Sequence, residues 1–146
     1  MKINNPFSKS NIVIFIPLIL VIGLDLIFTT IGQPEYYWQN HSFFNELNPI
    51  SQILLSAGPV YWILISVLYT MLVLFLIANL PKPLNIMTAV AFFLGHAWGS
   101  ASWVSEIIYK FFFVETNYWF VNIIYFIIIA IISGFCLNKK STEIKE

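Results

Sequence analysis

From residue 12 to residue 31 the chain reads IVIFIPLILVIGLDLIFTTI, and this stretch decides the fold. A helix of about 20 apolar residues crosses the roughly 30 Å hydrocarbon core of a bilayer, so the stretch is predicted to be a transmembrane helix. A lysine-containing tail precedes it, as in a signal peptide, but the apolar run is too long and no small-x-small cleavage site follows it cleanly. We therefore expect this span to be retained.

Three further apolar stretches have a similar length, and the sequence predicts four transmembrane helices at about 12–31, 60–80, 84–108 and 118–137. The composition supports this prediction, because 59% of the residues are hydrophobic and 10% are charged, whereas about a quarter are charged in a soluble domain. The predicted fold class is therefore all-α. We expect a polytopic membrane protein in which residues 1–146 form one integral membrane domain, an up-down four-helix bundle.

The placement of lysine predicts how this bundle is oriented. All seven basic residues are lysines, and Lys110 lies in the third connection. The other six lie in the two terminal tails and the second connection: Lys2, Lys9, Lys82, Lys139, Lys140 and Lys145. Because cytoplasmic segments carry the excess of basic residues, we expect a multi-pass protein of a prokaryotic cell (plasma) membrane with its N- and C-termini in the cytoplasm.

Charge and cysteine content exclude several classes of function. The net charge is zero and arginine is absent, so no basic patch is available for nucleic acid, which is not an expected partner. The lone Cys136 excludes an intrachain disulfide and a cysteine-based zinc cluster. The expected partners are the lipid bilayer and either further copies of the chain or a larger membrane complex.

The first outer loop, residues 32–58, is long for so small a protein, and long ordered loops tend to be functional. Its aromatic and aliphatic residues predict that it folds back onto the bundle or the interface, with Trp38, Phe43 and Phe44 as the candidates for docking. We expect a short helix between residues 42 and 56. Asn48-Pro49 should punctuate that segment, because the residue before a proline avoids the α region.

Two polar residues lie deep inside predicted spans. Asp25 is about 13 residues into the first span, or roughly 20 Å along a helix that rises about 1.5 Å per residue. His96 is about 12 residues into the third span, at roughly 18 Å. Each has a hydroxyl residue four positions later on the same helical face, Thr29 and Ser100 respectively. Ionisable residues at such depth are costly unless paired, so they mark candidate functional sites as well as structural contacts.

The sequence predicts one shared site around this pair. Glu46 and Asn48 of the outer loop can reach toward Asp25 and His96, which are the candidate catalytic residues together with Glu46. The candidate binding residues are Thr29, Asn48, Trp98, Ser100 and Trp103; both tryptophans lie within a helix rather than at its end. Asp25, His96 and Glu46 also offer oxygen and imidazole ligands that suit a divalent metal, although no fixed-spacing motif supports that cofactor.

The pattern Asp25-x-x-x-Thr29, followed by Glu46-x-Asn48-Pro49, resembles one found in small prokaryotic multi-span membrane proteins of unknown function. The resemblance covers roughly the first third of the chain. It implies that the outer loop pairs with the first helix, and it implies no activity.

A small-residue segment that includes Gly95-x-x-x-Gly99 predicts close approach of the third helix to a neighbour.

Three functions remain open from the sequence. The first is a non-catalytic binding or accessory subunit of a membrane complex, in which the polar cluster holds the loop. The second is a membrane-embedded hydrolase or transferase, metal-assisted in one form, that acts on a lipid or peptide at the outer leaflet. The third is a transporter or channel, which would have to oligomerise because the chain has no internal repeat.

Overall fold

The computed structural model describes the backbone of residues 9–143 and the side chains of residues 15–134. Over the described residues the chain is all-helical, with six α-helices and no strand. These are α1 (Lys9–Gly32), α2 (Glu35–Gln39), α3 (Pro49–Ser56), α4 (Pro59–Asn79), α5 (Leu84–Phe112) and α6 (Tyr118–Glu143). Lys2 and Lys145, which the orientation argument uses, lie outside the described residues.

Two of the helices are long and apolar enough to cross a membrane: α1 over Phe15–Gly32 and α4 over Pro59–Asn79. The described apolar part of α6, Tyr118–Gly134, is shorter. Helix α5 is the longest, with 29 residues, but small and polar residues from Gly95 to Glu106 interrupt its apolar sequence. The helices at 60–80 and 118–137 begin at or within one residue of the predicted positions.

Local sequence explains where the helices begin and end. Helix α4 starts at Pro59, which suits a first helical turn because that position needs no N–H donor. Gly58 precedes it with a φ of 109°, a conformation that side chains rarely adopt. Helix α5 extends four residues beyond the predicted end at residue 108 and stops where Phe113 takes the left-handed conformation.

Helix α1 lies between the other long helices. On one face, Leu18 and Ile22 pack against Val73 and Ile77 of α4 and Ala89 of α5. On another face, Val21 packs with small side chains of α5 and with Tyr125 and Ile129 of α6. By contrast, α4 and α6 turn large apolar side chains outward; on α4 these include Leu64, Leu68, Met71, Leu72 and Phe75, each more than half exposed.

The outer loop folds back onto the bundle. Tyr37 of α2 is fully buried, and its hydroxyl donates to the carbonyl of Leu55 in α3 at 3.1 Å. These two residues pack with Trp62 of α4, and Phe44 is partly buried beside them. Trp38 and Phe43, the other expected docking residues, are instead 47% and 59% exposed. Tyr37 takes the docking position because neighbouring residues of α2 point in different directions.

The expected short helix in the loop is α3. Asn48 is its N-cap, and the Asn48 side chain accepts a hydrogen bond from the Ile50 amide at 3.0 Å. Pro49 occupies the first turn, in keeping with the predicted punctuation. Helix α2 was not predicted, since five residues are too few for a periodic pattern to emerge.

Candidate functional site

Asp25 of α1 and His96 of α5 contact each other directly. Oδ2 of Asp25 lies 2.7 Å from Nδ1 of His96. The side chains are 21% and 19% exposed, respectively, so the contact is largely shielded but still open on one side. The structure thus brings together the two deep polar residues that the sequence placed at similar depth.

Gly99 allows this contact to form. A Cβ atom at Gly99 would lie 2.7 Å from Oδ1 and 3.0 Å from Oδ2 of Asp25, closer than such atoms approach. The carboxylate therefore rests directly on the α5 backbone, where only glycine leaves room for it. Gly95, one turn earlier on α5, has no atom within 4 Å of the same hypothetical Cβ. The expected close helix approach thus involves Gly99 and not Gly95.

Tyr69 of α4 supplies a third member that the sequence analysis did not find. Its hydroxyl lies 3.2 Å from Nε2 of His96. In the tautomer protonated at Nδ1, the imidazole donates to Asp25 and accepts from Tyr69, so both ring nitrogens have protein partners. Tyr69 lies in the middle of α4, and this depth distinguishes it from interfacial aromatic residues. Its contact with His96 depends in addition on how α4 is rotated against α5.

A cavity of about 430 Å³ opens beside these three residues. It lies between α1, α4, α5 and the outer loop. Its lining includes all three members of the Asp25–His96–Tyr69 chain, together with Thr29, Glu46, Asn48, Ser51, Trp62, Ala91, Phe92, Gly95, Gly99, Ser102 and Trp103. Six of the eight predicted site residues therefore line one cavity: Asp25, Thr29, Glu46, Asn48, His96 and Trp103.

The loop residues of the cavity are held by local hydrogen bonds. Oε1 of Glu46 accepts from the amides of Leu47 and Asn48 at 2.8 and 2.9 Å. The side-chain amide of Gln52 donates to the Glu46 carbonyl at 2.7 Å. These bonds fix Glu46 and Asn48 at the edge of the cavity, although neither residue is hydrogen-bonded to Asp25 or His96.

Ser100 and Trp98 do not line the cavity. Ser100 is fully buried, where its hydroxyl donates to the His96 carbonyl at 2.8 Å and accepts from the Tyr125 hydroxyl at 2.7 Å. Trp98 is 54% exposed and packs beside Phe126 of α6. At about 100° per residue, these two positions lie on either side of the face centred on Gly99. Ser100 lies about 40° around the helix from His96, as the four-residue spacing predicts, but its hydroxyl is bonded to the His96 carbonyl and to Tyr125, and the residue does not line the cavity.

The three proposed metal ligands do not form a metal-binding cluster. Among the described residues, no group of three His, Cys, Asp or Glu side chains is arranged to hold a metal ion. Nδ1 of His96 and Oδ2 of Asp25 are bonded to each other, and Oε1 of Glu46 is bonded to backbone amides. The donor types suit a divalent cation, but their arrangement is that of a hydrogen-bonded pair with a separate carboxylate.

A second set of polar contacts ties the loop above the cavity to α1. Gln33, which is fully buried, donates to the carbonyls of Thr29 and Asn45 and accepts from the Asn45 amide. Nζ of Lys110 donates to the carbonyls of Ile31 and Gln33 at 2.9 and 2.8 Å. A lysine at this position satisfies the end of a helix and its dipole. The sequence signal was the position of Lys110, the lone lysine on the predicted outer side.

Comparison of the chain with protein-family models, curated proteins and solved structures finds no match. The geometry of the site therefore carries the functional interpretation.

Proposed function

We propose that the chain is a four-span protein of the plasma membrane that binds a ligand in the cavity beside Asp25 and His96. In this proposal it is a non-catalytic binding or accessory subunit of a membrane complex, and the cavity opens toward the outer face. The observation that carries the proposal is the Asp25–His96–Tyr69 chain, in which the reactive atoms of the imidazole already have protein partners.

The lengths and surfaces of the helices support four spans. Helices α5 and α6 have 29 and 26 residues, and at about 1.5 Å per residue each exceeds the roughly 30 Å of a hydrocarbon core. The outward apolar side chains of α4 and α6 suit contact with lipid tails. The lysine distribution supports cytoplasmic termini.

A binding role agrees with the way polar groups are satisfied around the cavity. Catalysis by general acid–base or nucleophilic chemistry needs a reactive group within hydrogen-bond reach of its partner and of the substrate. Here the Asp25 carboxylate orients His96, Tyr69 contacts the remaining ring nitrogen, and Glu46 is tied to its own loop. A fixed polar surface of this kind suits recognition.

One observation favours the alternative of a membrane-embedded hydrolase or transferase. Asp25 holds His96 through Nδ1 and leaves Nε2 at the cavity, with Tyr69, which is 38% exposed, as its partner. If a substrate displaced the tyrosine hydroxyl, Nε2 would be oriented to act as a general base. A transporter would require several copies, and no contact described here favours it over the other two functions.

Native mass spectrometry of the protein released from its own membrane tests the proposal. The wild-type chain should carry a bound small molecule of defined mass. Gly99→Ala should weaken the affinity about ten-fold and lower the occupancy accordingly, since displacing the Asp25 carboxylate removes a contact of about 1.4 kcal/mol. Gly23→Ala is the matched control, because its added methyl group meets no atom within 4 Å and Gly23 does not line the cavity, and it should retain the adduct.

The same measurement separates binding from catalysis. For a binding subunit, Asp25→Asn should carry the same mass as the wild type at equal or lower occupancy. For an enzyme, Asp25→Asn should instead accumulate a substrate of a different mass from any species on the wild type. An unliganded wild type, or equal occupancy in Gly99→Ala and Gly23→Ala, would contradict the proposed binding function.

A further inference from the structure

The charged groups of the cavity are mainly acidic. Asp25 and Glu46 contribute two carboxylates, and His96 is the one basic side chain in the lining. When both carboxylates are ionised, the formal charge of the lining is negative whether the imidazole is neutral or protonated. An anionic headgroup would therefore meet repulsion, whereas a cation would be attracted.

No other basic group is available to reverse this preference. The chain has no arginine, and Lys110 is its one lysine in the predicted outer half. The Lys110 ammonium donates to the carbonyls of Ile31 and Gln33 and does not line the cavity. A phosphate would thus lack the lysine or arginine partner that such groups usually find in proteins.

The walls of the cavity are aromatic. Trp62, Tyr69 and Trp103 line it together with Phe92. Aromatic faces attract cations through the ring quadrupole, and tryptophan does so most strongly. The combination of carboxylates with aromatic walls suits an ammonium group better than a metal ion, which needs a converging set of ligand atoms that the described residues do not provide.

An apolar crevice adjoins the polar cavity between α1, α3 and α4. Both spaces share six lining residues, among them Asp25, Tyr69 and His96. The crevice adds aliphatic side chains from α1, α3 and α4: Ile22, Leu26, Ile50, Leu54 and Ile65. A molecule that places its head beside Asp25 can therefore lay a hydrocarbon chain along this crevice.

We propose that the ligand is an amphiphile with a positively charged amine headgroup, which binds beside Asp25 and Glu46 and places its chain between α1 and α4. This proposal rests on the proposed binding function and names its ligand class. The acidic lining favours a cationic headgroup, and the aromatic rings of the lining stabilise it. The aliphatic crevice favours an amine that carries a hydrocarbon chain over an amine without one.

Quenching of cavity tryptophans tests this assignment. Trp38, Trp98 and Trp119 are replaced by phenylalanine, which leaves Trp62 and Trp103, both in the cavity lining. The protein is placed in phosphatidylcholine nanodiscs and titrated with 5-doxyl-stearylamine or 5-doxyl-stearic acid. At about pH 8 an ordinary amine is cationic and an ordinary carboxylic acid is anionic.

The amine should reach half-maximal quenching at a mole fraction about ten-fold lower than the acid. The two carboxylates of the cavity attract the cationic amine and repel the anionic acid. Glu46→Gln should narrow this difference while keeping the oxygen that accepts from the loop amides. Asp25→Asn is a second variant with the same expected direction. Glu106→Gln is the matched control, because that carboxylate bonds to Asn45 outside the cavity lining.

The outcomes distinguish this inference from the function on which it rests. In one outcome, amine and acid quench equally and saturably, with weaker quenching in Gly99→Ala. That result would overturn the cationic headgroup and leave the binding function intact. Displacement by butylamine as effective as displacement by unlabelled stearylamine would overturn the amphiphile. Quenching that never saturates with either probe would overturn the binding function itself.

Discussion

Asp25 is accommodated between the helices because one of its carboxylate oxygens is bonded to His96. His96 contacts one oxygen, and Gly99 leaves the space in which the other lies against α5. Neither polar side chain has to be buried alone, which would cost several kcal/mol. The pair thus depends on three residues of two helices, and changing any one of them affects the other two.

Replacement of Asp25 tests this dependence. Asp25→Ala should destabilise the fold by about 1–3 kcal/mol, because it leaves the Nδ1 group of His96 without its partner. Asp25→Asn should retain most of the stability, since the amide oxygen can accept the same hydrogen bond, while ligand binding weakens. Thermal unfolding in detergent measures the first effect.

Glu106→Gln removes a charge outside the cavity and should leave the unfolding midpoint unchanged. Equal midpoints for Asp25→Ala and the wild type would show that the contact with His96 contributes nothing to the fold. Full ligand binding by Asp25→Asn would give Asp25 a purely structural role.

The sequence predicted part of this site, and helix geometry explains which part. Depth follows from counting residues along a helix, so the meeting of Asp25 and His96 was accessible to sequence reasoning. The rotation of α5 about its axis could not be predicted from the sequence, because α5 has polar or small residues on several faces. Ser100 shares the face of His96, as predicted, but its hydroxyl is bonded to Tyr125 of α6 and does not line the cavity. Tyr69 was missed although its position in the middle of α4 was a signal, since the apolar sequence of that helix does not show which way the side chain points.

At the scale of elements, the outer loop is held by a few specific contacts. Tyr37 fills the space between α3 and α4, and Gln33 and Lys110 join the end of α1 to the loop and to α5. The sequence predicted the folded-back loop and α3 from composition and from Asn48-Pro49. It did not predict α2 or the residue that docks, because several aromatic residues lie next to one another at 36–38.

Removal of the Tyr37 hydroxyl tests the docking of the loop. Tyr37→Phe should weaken the docked state by about 1 kcal/mol, because the Leu55 carbonyl loses its donor. Added protease in detergent should cleave residues 36–51 several-fold faster than in the wild type, as measured by fragment mass. Tyr36→Phe is the matched control, because Tyr36 is 71% exposed, and it should leave the rate unchanged.

Docking should also depend on pH with a defined sign. Burial raises the pKa of Tyr37 above its ordinary value, so the docked loop holds the phenolic proton more tightly than the released loop. This stabilisation is complete below the ordinary pKa of about 10 and is lost as pH rises through the raised value. Rapid wild-type cleavage at neutral pH would contradict the docked loop altogether.

At the scale of the whole molecule, the protein has an apolar outer surface and a polar internal cavity. The outward faces of α4 and α6 are apolar, whereas the polar cavity lies inside, between α1, α4 and α5. Hydropathy alone predicted the long helices and most of their boundaries. It placed the ends of α5 and α6 four and six residues too early. The end of α5 is set by the left-handed residue Phe113 and not by a change in hydrophobicity.

Cysteine labelling tests the proposed orientation of these surfaces. In a Cys136→Ser background, Gln39→Cys should react with an impermeant thiol reagent added to intact cells, because Gln39 is exposed at the end of α2. Ser141→Cys, near the end of α6, should react only after the membrane is permeabilised. Six of the seven lysines lie in the terminal tails and the second connection, and basic segments are retained in the cytoplasm. Permeabilisation also confirms that both thiols are reactive. Equal labelling of the two positions in intact cells would contradict the proposed orientation, and with it the assignment of the cavity to the outer face.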